Sequence, residues 1–141
     1  MNNSKRSLLL GLAAVLLLFA VQRAGAELPP FAVTPPRGPL QGKPNSMVEI
    51  GLDGDGVLNY RVYYDVKGDI SREQLDYNHD GKMDTFYYYE SGGLTRVEID
   101  STFTGRIDIW VYLVEGKYIR RYERDTTGSG KPDVIKDFGG K

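Results

Sequence analysis

The chain has 141 residues, enough for one domain, and carries 18 Lys and Arg against 19 Asp and Glu. It has no cysteine, which excludes disulfides, a thiol nucleophile and a cysteine-borne lipid anchor. Lys5, Arg6 and Arg23 lie in the first 26 residues, so the rest holds 18 less 3 basic residues against 19 acidic ones, a net charge of −4; nucleic acid, whose binders show a basic patch or stripe, is not an expected partner.

Lys5 and Arg6 precede an apolar run from Leu8 to Val21, interrupted by Gly11 and followed by Ala24-Gly25-Ala26. A basic start, an apolar middle and a small-x-small end are the layout of a secretory signal peptide. The run is shorter than the roughly 20 residues that span a bilayer. Residues 1–26 are therefore expected to be a cleaved signal peptide, leaving no stable membrane insertion and a periplasmic or secreted product. Residues 27–46 hold Pro29, Pro30, Pro35, Pro36, Pro39 and Pro44. Proline lacks the backbone donor that helices and sheets use. This stretch is expected to be a disordered linker, with the folded domain running over 47–141.

Within that domain Asp76-Tyr77-Asn78-His79-Asp80-Gly81-Lys82-Met83-Asp84 reads D-x-N-x-D-G-x-x-D, with places numbered 1 to 9. The frame recurs with losses over Gly51 to Asn59, Asp100 to Asp108 and Asp125 to Asp133. The glycines of place 6 fall at 56, 81, 105 and 130, so the period is 25, 24 and 25 residues. A fixed period in this range is the sign of a repeat architecture.

Each repeat continues as an aromatic-rich strand, a glycine turn and a second strand. The first strands are predicted at 59–65, 84–90, 108–114 and 133–138, and the second at 69–75, 94–99 and 117–124, with one more at 47–50. Tyr63-Tyr64, Tyr87-Tyr88-Tyr89 and Ile109-Trp110-Val111-Tyr112 favour strands by residue type, and glycine recurs too often for useful helices. The fold class is all-β: an antiparallel meander of about eight short strands, either an open sheet or a small barrel. One strand face carries Tyr60, Val62, Tyr87, Ile109 and Val111; the other carries Tyr63, Tyr88, Trp110 and Tyr112, and neither is plainly polar. Arg72, Arg96 and Arg121 share a column of the second strands, with Gln74, Glu98 and Glu123 two places on, which reads as a solvated face of ion pairs.

Calcium takes six to eight oxygen ligands, and a glycine allows the sharp bend such a loop needs. In the second loop the candidate ligands are Asp76, Asn78, Asp80 and Asp84, with the carbonyl of Lys82. The first loop offers Asp53, Asp55 and Asn59 but has Gly51 at place 1. The third and fourth put Thr102, Thr104, Thr127 and Ser129 at ligand places; hydroxyls are weaker ligands, and these loops read as hydrogen-bonded turns. His79, the single histidine, is expected to point outward.

The nine-place frame resembles the start of an EF-hand loop and, more closely, the D-x-D-x-D-G-x-x-D loops between strands of integrin-α and FG-GAP-type propellers. Place 12, an EF-hand's glutamate, is Tyr87 here, so no helix–loop–helix is expected. Gly93-Leu94-Thr95-Arg96-Val97-Glu98 also resembles the second strand of tandem calcium-loop hairpin repeats in exported bacterial proteins, over about residues 47–138. That resemblance implies an exported, non-enzymatic module with calcium as its cofactor and no specific ligand. The expected role is structural or protein-interacting; the alternative is a carbohydrate or envelope-polymer partner held by exposed Tyr and Trp columns. A single histidine and no cysteine give little basis for an enzyme.

Overall fold

Alternating Tyr, Val and Ile side chains suit strands buried on one face. The computed structural model of the chain describes residues 41–52 and 54–139. Eight strands run in order: β1 (Met47–Ile50), β2 (Tyr60–Tyr64), β3 (Ile70–Leu75), β4 (Thr85–Glu90), β5 (Gly93–Ile99), β6 (Ile109–Val114), β7 (Tyr118–Arg124) and β8 (Val134–Asp137). They form a single sheet in sequence order, each pair antiparallel. The sheet is open, so of the two closures left standing by the sequence the barrel is not adopted. Each strand lies within a residue or so of its predicted span.

Two kinds of connection alternate. Short turns join β2 to β3, β4 to β5 and β6 to β7; the nine-place acidic loops join the other neighbours. Ser91-Gly92 and Glu115-Gly116 have positive φ at both residues (51° and 77°, 55° and 64°), the backbone of the tight turn whose twist matches a hairpin. The pairing register shifts just before these turns, between Tyr88 and Tyr89 and between Tyr112 and Leu113.

The predicted signal peptide and most of the predicted linker lie outside the described residues. The linker's last residues differ from the disordered reading. Gln41 bridges Asp69, Gly42 N–H donates to Gly68 O at 2.9 Å, and Asn45 N–H donates to Asp65 O at 2.9 Å. Tyr64 N–H donates to Ser46 O at 2.9 Å, so the β1–β2 pairing extends back past Met47. Local proline content does not anticipate these bonds, because their acceptors and donors lie some twenty residues on. Among the described residues, no helix is long and apolar enough to cross a membrane.

One face of the sheet is the core. Ile99, Ile109, Val111 and Tyr122 form the larger cluster with Tyr87, and Tyr60, Val62 and Leu75 form a second. Glu73 lies buried on this face, accepting hydrogen bonds from Tyr60 Oη and, at 2.5 Å, from Tyr89 Oη. Burial, reinforced by the Glu73 charge, pushes the Tyr89 and Tyr87 phenols well above their usual range.

The opposite face is half-exposed and regular. Arg72 lies over the Tyr63 ring at 4.0 Å and Arg96 over the Tyr88 ring at 4.2 Å. Tyr63 Oη donates to Gln74 at 3.2 Å, Tyr88 Oη to Glu98 at 2.9 Å and Tyr112 Oη to Glu123 at 3.4 Å. Arg96 meets Glu98 at 3.3 Å and Arg121 meets Glu123 at 2.5 Å. The solvated face read from the sequence is thus a ladder of Tyr, Arg and acid or amide groups.

The core makes a paired prediction. Tyr87 Oη is buried without a hydrogen-bond partner, whereas Tyr89 Oη serves a buried carboxylate. A lone buried polar group costs about 1–3 kcal/mol, and a hydrogen bond to a charge contributes about 1.5–3 kcal/mol. In urea unfolding, Tyr87→Phe should hold or raise the midpoint, and Tyr89→Phe should lower stability by about 1.5–3 kcal/mol. Equal losses from both would show that the two hydroxyls do not differ in this way.

Candidate metal-binding loops

The four acidic loops lie at one end of the sheet because each joins a strand to its antiparallel neighbour at that end. Place 6 needs a left-handed residue to turn the chain inward, and Gly56, Gly81, Gly105 and Gly130 have φ of 87°, 89°, 82° and 81°. Place 4 is left-handed too: Gly54, His79, Phe103 and Gly128 have φ of 71°, 61°, 56° and 74°.

The same bond closes every loop. The side chain at place 9 accepts the N–H of place 2: Asn59 from Leu52 at 2.9 Å and Asp84 from Tyr77 at 2.9 Å. Asp108 does so from Ser101 at 2.5 Å and Asp133 from Thr126 at 2.7 Å. Where place 1 is aspartate, its carboxylate accepts the N–H of the place-6 glycine: Asp76 from Gly81 at 2.8 Å, Asp100 from Gly105 at 2.5 Å and Asp125 from Gly130 at 2.6 Å. Gly51 has no side chain to make this bond.

The loops part company at the other place-1 oxygen. Asp100 Oδ1 accepts from Thr102 N–H, Thr102 Oγ1 and Thr104 N–H at 3.2–3.3 Å. Asp125 Oδ1 accepts from Thr127 N–H, Thr127 Oγ1, Gly128 N–H and Ser129 N–H at 2.8–3.2 Å. In the second loop these donors are taken elsewhere: Asn78 N–H goes to Asp84 Oδ2 at 3.3 Å, and Asp80 N–H goes to Asn78 Oδ1 at 3.0 Å. Asp76 is 1% exposed, and its Oδ1 is buried with no hydrogen-bond partner. A buried carboxylate oxygen without a donor is costly, and an ordered water or a cation would satisfy it.

The remaining candidates belong to the same loop and to the first. Asp80 Oδ1 accepts from Lys82 N–H at 2.8 Å, an arrangement shared by Asp55 and Val57 at 2.8 Å. Burial pushes the Asp84 carboxyl above its usual range; hydrogen bonds from Tyr77 and Asn78 oppose the shift, and the charges of Asp76 and Asp80 add to it. The Asp84 carboxyl therefore feels the charges of both Asp76 and Asp80. Among the described residues, no three carboxylate or imidazole groups are gathered closely enough to hold a metal as they stand. Asp80 and Asn78 are exposed, so they can swing without disturbing the core. In the first loop Asn59 is buried and Asp55 is exposed, while Asp53 lies outside the described residues.

His79 is exposed, as the frame suggests, and its ring also reaches the first loop. Its Nε2 lies 3.1 Å from Asn59 Nδ2 and its Nδ1 lies 3.6 Å from Asp55 Oδ2, so it links the second loop to the first. The partners are twenty or more residues away in the chain, and no local pattern signals the contact.

No protein-family model, curated protein or solved structure matches the chain.

The fourth loop has an acid signature. Burial raises the Asp125 carboxyl, but the hydrogen bonds from Gly130, Thr127 and Ser129 outweigh it and hold the group at about 2, below its ordinary 3.8. Hydrogen bonds from Thr126 likewise hold Asp133 low. A lowered carboxyl contributes stability that is complete above the unfolded value and lost as pH falls through the folded one. Wild type should melt above Asp125→Asn at neutral pH, with the gap closing as pH falls from 3.8 through about 2. A gap that persists below that window would mean the carboxylate charge is not what the bonds serve.

Proposed function

We propose that the chain is an exported, non-enzymatic β-repeat module that uses calcium in its second acidic loop to hold its fold, in a structural or protein-interacting role. The observation that supports this is the contrast at place 1. Asp76 Oδ1 is buried without a donor, while Asp100 and Asp125 have all their oxygens bonded. Asp76, Asn78, Asp80 and Asp84, with the Lys82 carbonyl, would hold the ion, and Asp55 and Asn59 belong to a weaker first loop with Asp53. Calcium suits an all-oxygen set in a short loop. It would neutralise the mutual repulsion that, with burial, raises the Asp84 carboxyl.

The repeat reading is supported by hydrogen bonds that recur at the same places of successive loops. Export is supported by the layout of residues 1–26. The non-enzymatic reading is supported by a sequence with one histidine and no cysteine, which offers few acid–base or nucleophile groups.

Calcium binding is tested by melting the purified protein in excess calcium and in chelator. A ligand at a hundred times its dissociation constant stabilises by about 2.7 kcal/mol. For a domain of this size that is a shift on the order of ten degrees. Asp80→Ala should melt like wild type in chelator and lose the calcium shift. An unchanged melting temperature for wild type at millimolar calcium would remove the metal from the reading.

The carbohydrate or envelope-polymer alternative has one supporting observation: Phe86 and Trp110 are half-exposed on the outer face beside Tyr88 and Tyr112. It has fewer free ring faces than the sequence suggests, because arginines cover Tyr63 and Tyr88. On this alternative Trp110→Ala would lose retention on a glycan column at unchanged melting temperature; retention equal to wild type would dismiss it.

A further inference from the structure

The two edges of the sheet are complementary halves of one pairing. Every inner strand has a neighbour across an acidic loop and a neighbour across a short turn. Among the described residues β1 and β8 each have only the acidic-loop neighbour, β2 and β7 respectively. What each edge lacks is a short-turn neighbour of the opposite direction. Because the sheet has an even number of strands, β8 and β1 run in opposite directions and each is what the other lacks. We propose that the β8 edge of one copy pairs antiparallel with the β1 edge of a second copy, continuing the meander from chain to chain.

The register follows from the pairs already formed. Across the β4–β5 hairpin the residue after place 9 faces the residue before the next place 1, as Thr85 faces Ile99 and Phe86 faces Glu98. Transferred to the edges, Val134 faces Ile50, Ile135 faces Glu49, Lys136 faces Val48 and Asp137 faces Met47 of the second copy. Both rows keep their sides. Val134 and Lys136 share the core face with Tyr122, as Val48 and Ile50 share it with Val62 and Tyr60. No like charges fall directly opposite one another, an arrangement that would cost stability. Glu49 and Asp137 are each already bridged to an arginine, Arg61 at 2.6 Å and Arg121 at 3.4 Å.

The residues left uncovered agree with this. Ile135 is 50% exposed, Met47 45% and Val48 39%, apolar side chains at both edges of the same sheet. Place 9 reports the missing neighbour independently. Asn59, Asp84 and Asp108 are buried beside a following strand, whereas Asp133, the same place at the end of the sheet, is exposed. A bare apolar edge is a template for another strand. A head-to-tail contact uses two different surfaces, so it builds an open chain or a ring rather than a closed dimer.

Charge variants distinguish this contact from others. Ile135→Glu sets a carboxylate against Glu49 of the next copy and blocks the β8 edge. Val48→Lys sets an ammonium against Lys136 and blocks the β1 edge. Both positions are exposed, and a melting curve for each variant checks that it folds. The purified full chain should associate with rising concentration in sedimentation velocity, and each variant alone should stay monomeric. An equal mixture of the two should form a dimer and nothing larger, because one good edge of each remains. Ile135→Lys, which faces Glu49, should associate at least as well as wild type. A wild-type chain that stays monomeric, a single variant that still self-associates, a mixture that stays monomeric or Ile135→Lys failing to associate would each overturn the proposal.

Discussion

A side chain at the last place of each acidic loop accepts the N–H of the loop's second residue, and the meander depends on that bond. A nine-residue connection between antiparallel neighbours carries more backbone donors than its strands can use. Donors left unpaired near a core are costly. Asn59, Asp84, Asp108 and Asp133 solve this at the point where the chain re-enters the sheet. The backbone N–H of Asp84, Asp108 and Asp133 meanwhile donates to the last residue of the preceding strand at 2.8–2.9 Å. One residue thus closes the loop with its side chain and starts the next strand pair with its backbone. Asparagine serves as well as aspartate because the bond needs an acceptor and not a charge.

Charge enters at places 1, 3 and 5, and there the loops take two forms. Threonine and serine bring hydroxyl donors that turn inward to the place-1 carboxylate, as at Asp100 and Asp125. The carboxylate is then saturated, and the loop is complete from its own atoms. In the second loop Asn78 at place 3 brings an acceptor instead and captures the Asp80 N–H, while the Asn78 N–H goes to Asp84 at place 9, so neither reaches Asp76. The cost is a buried oxygen with no donor and carboxylates that repel. The closing bond at place 9 is common to both forms.

The sheet's two faces divide other tasks. The inner face gathers rings and branched side chains about Glu73, whose charge is tolerated because phenols donate to it. The outer face repeats a tyrosine whose ring supports an arginine and whose hydroxyl reaches an acid or amide. Each such unit is weak when solvated. Repeated along successive hairpins they keep an aromatic face wet and make the register self-checking, since a one-residue slip would exchange the two faces.

Much of this was legible in the residues alone. Strand positions followed from period-2 alternation and from glycines spaced by 24 or 25 residues, because strand and turn preferences act within a few residues. The column of arginines, with acids or an amide two places on, followed from the same alternation. Which face is the core did not, since neither read as plainly polar, and the Arg96–Glu98 pair lies within one strand rather than across two. The difference between hydroxyl and carboxylate loops could also be read from residue types, since those contacts span at most seven residues. Tertiary structure alone decided the rest. Whether eight strands close or stay open depends on twist and curvature summed over the whole sheet, which no single segment encodes. The bridge from His79 to Asp55 and Asn59 needed two loops set side by side. The hydrogen bonds of Gly42, Asn45 and Ser46 needed β2 and its turn already in place. The lone oxygen of Asp76 depended on which of several equally near donors each side chain took, a competition settled only when the loop was folded.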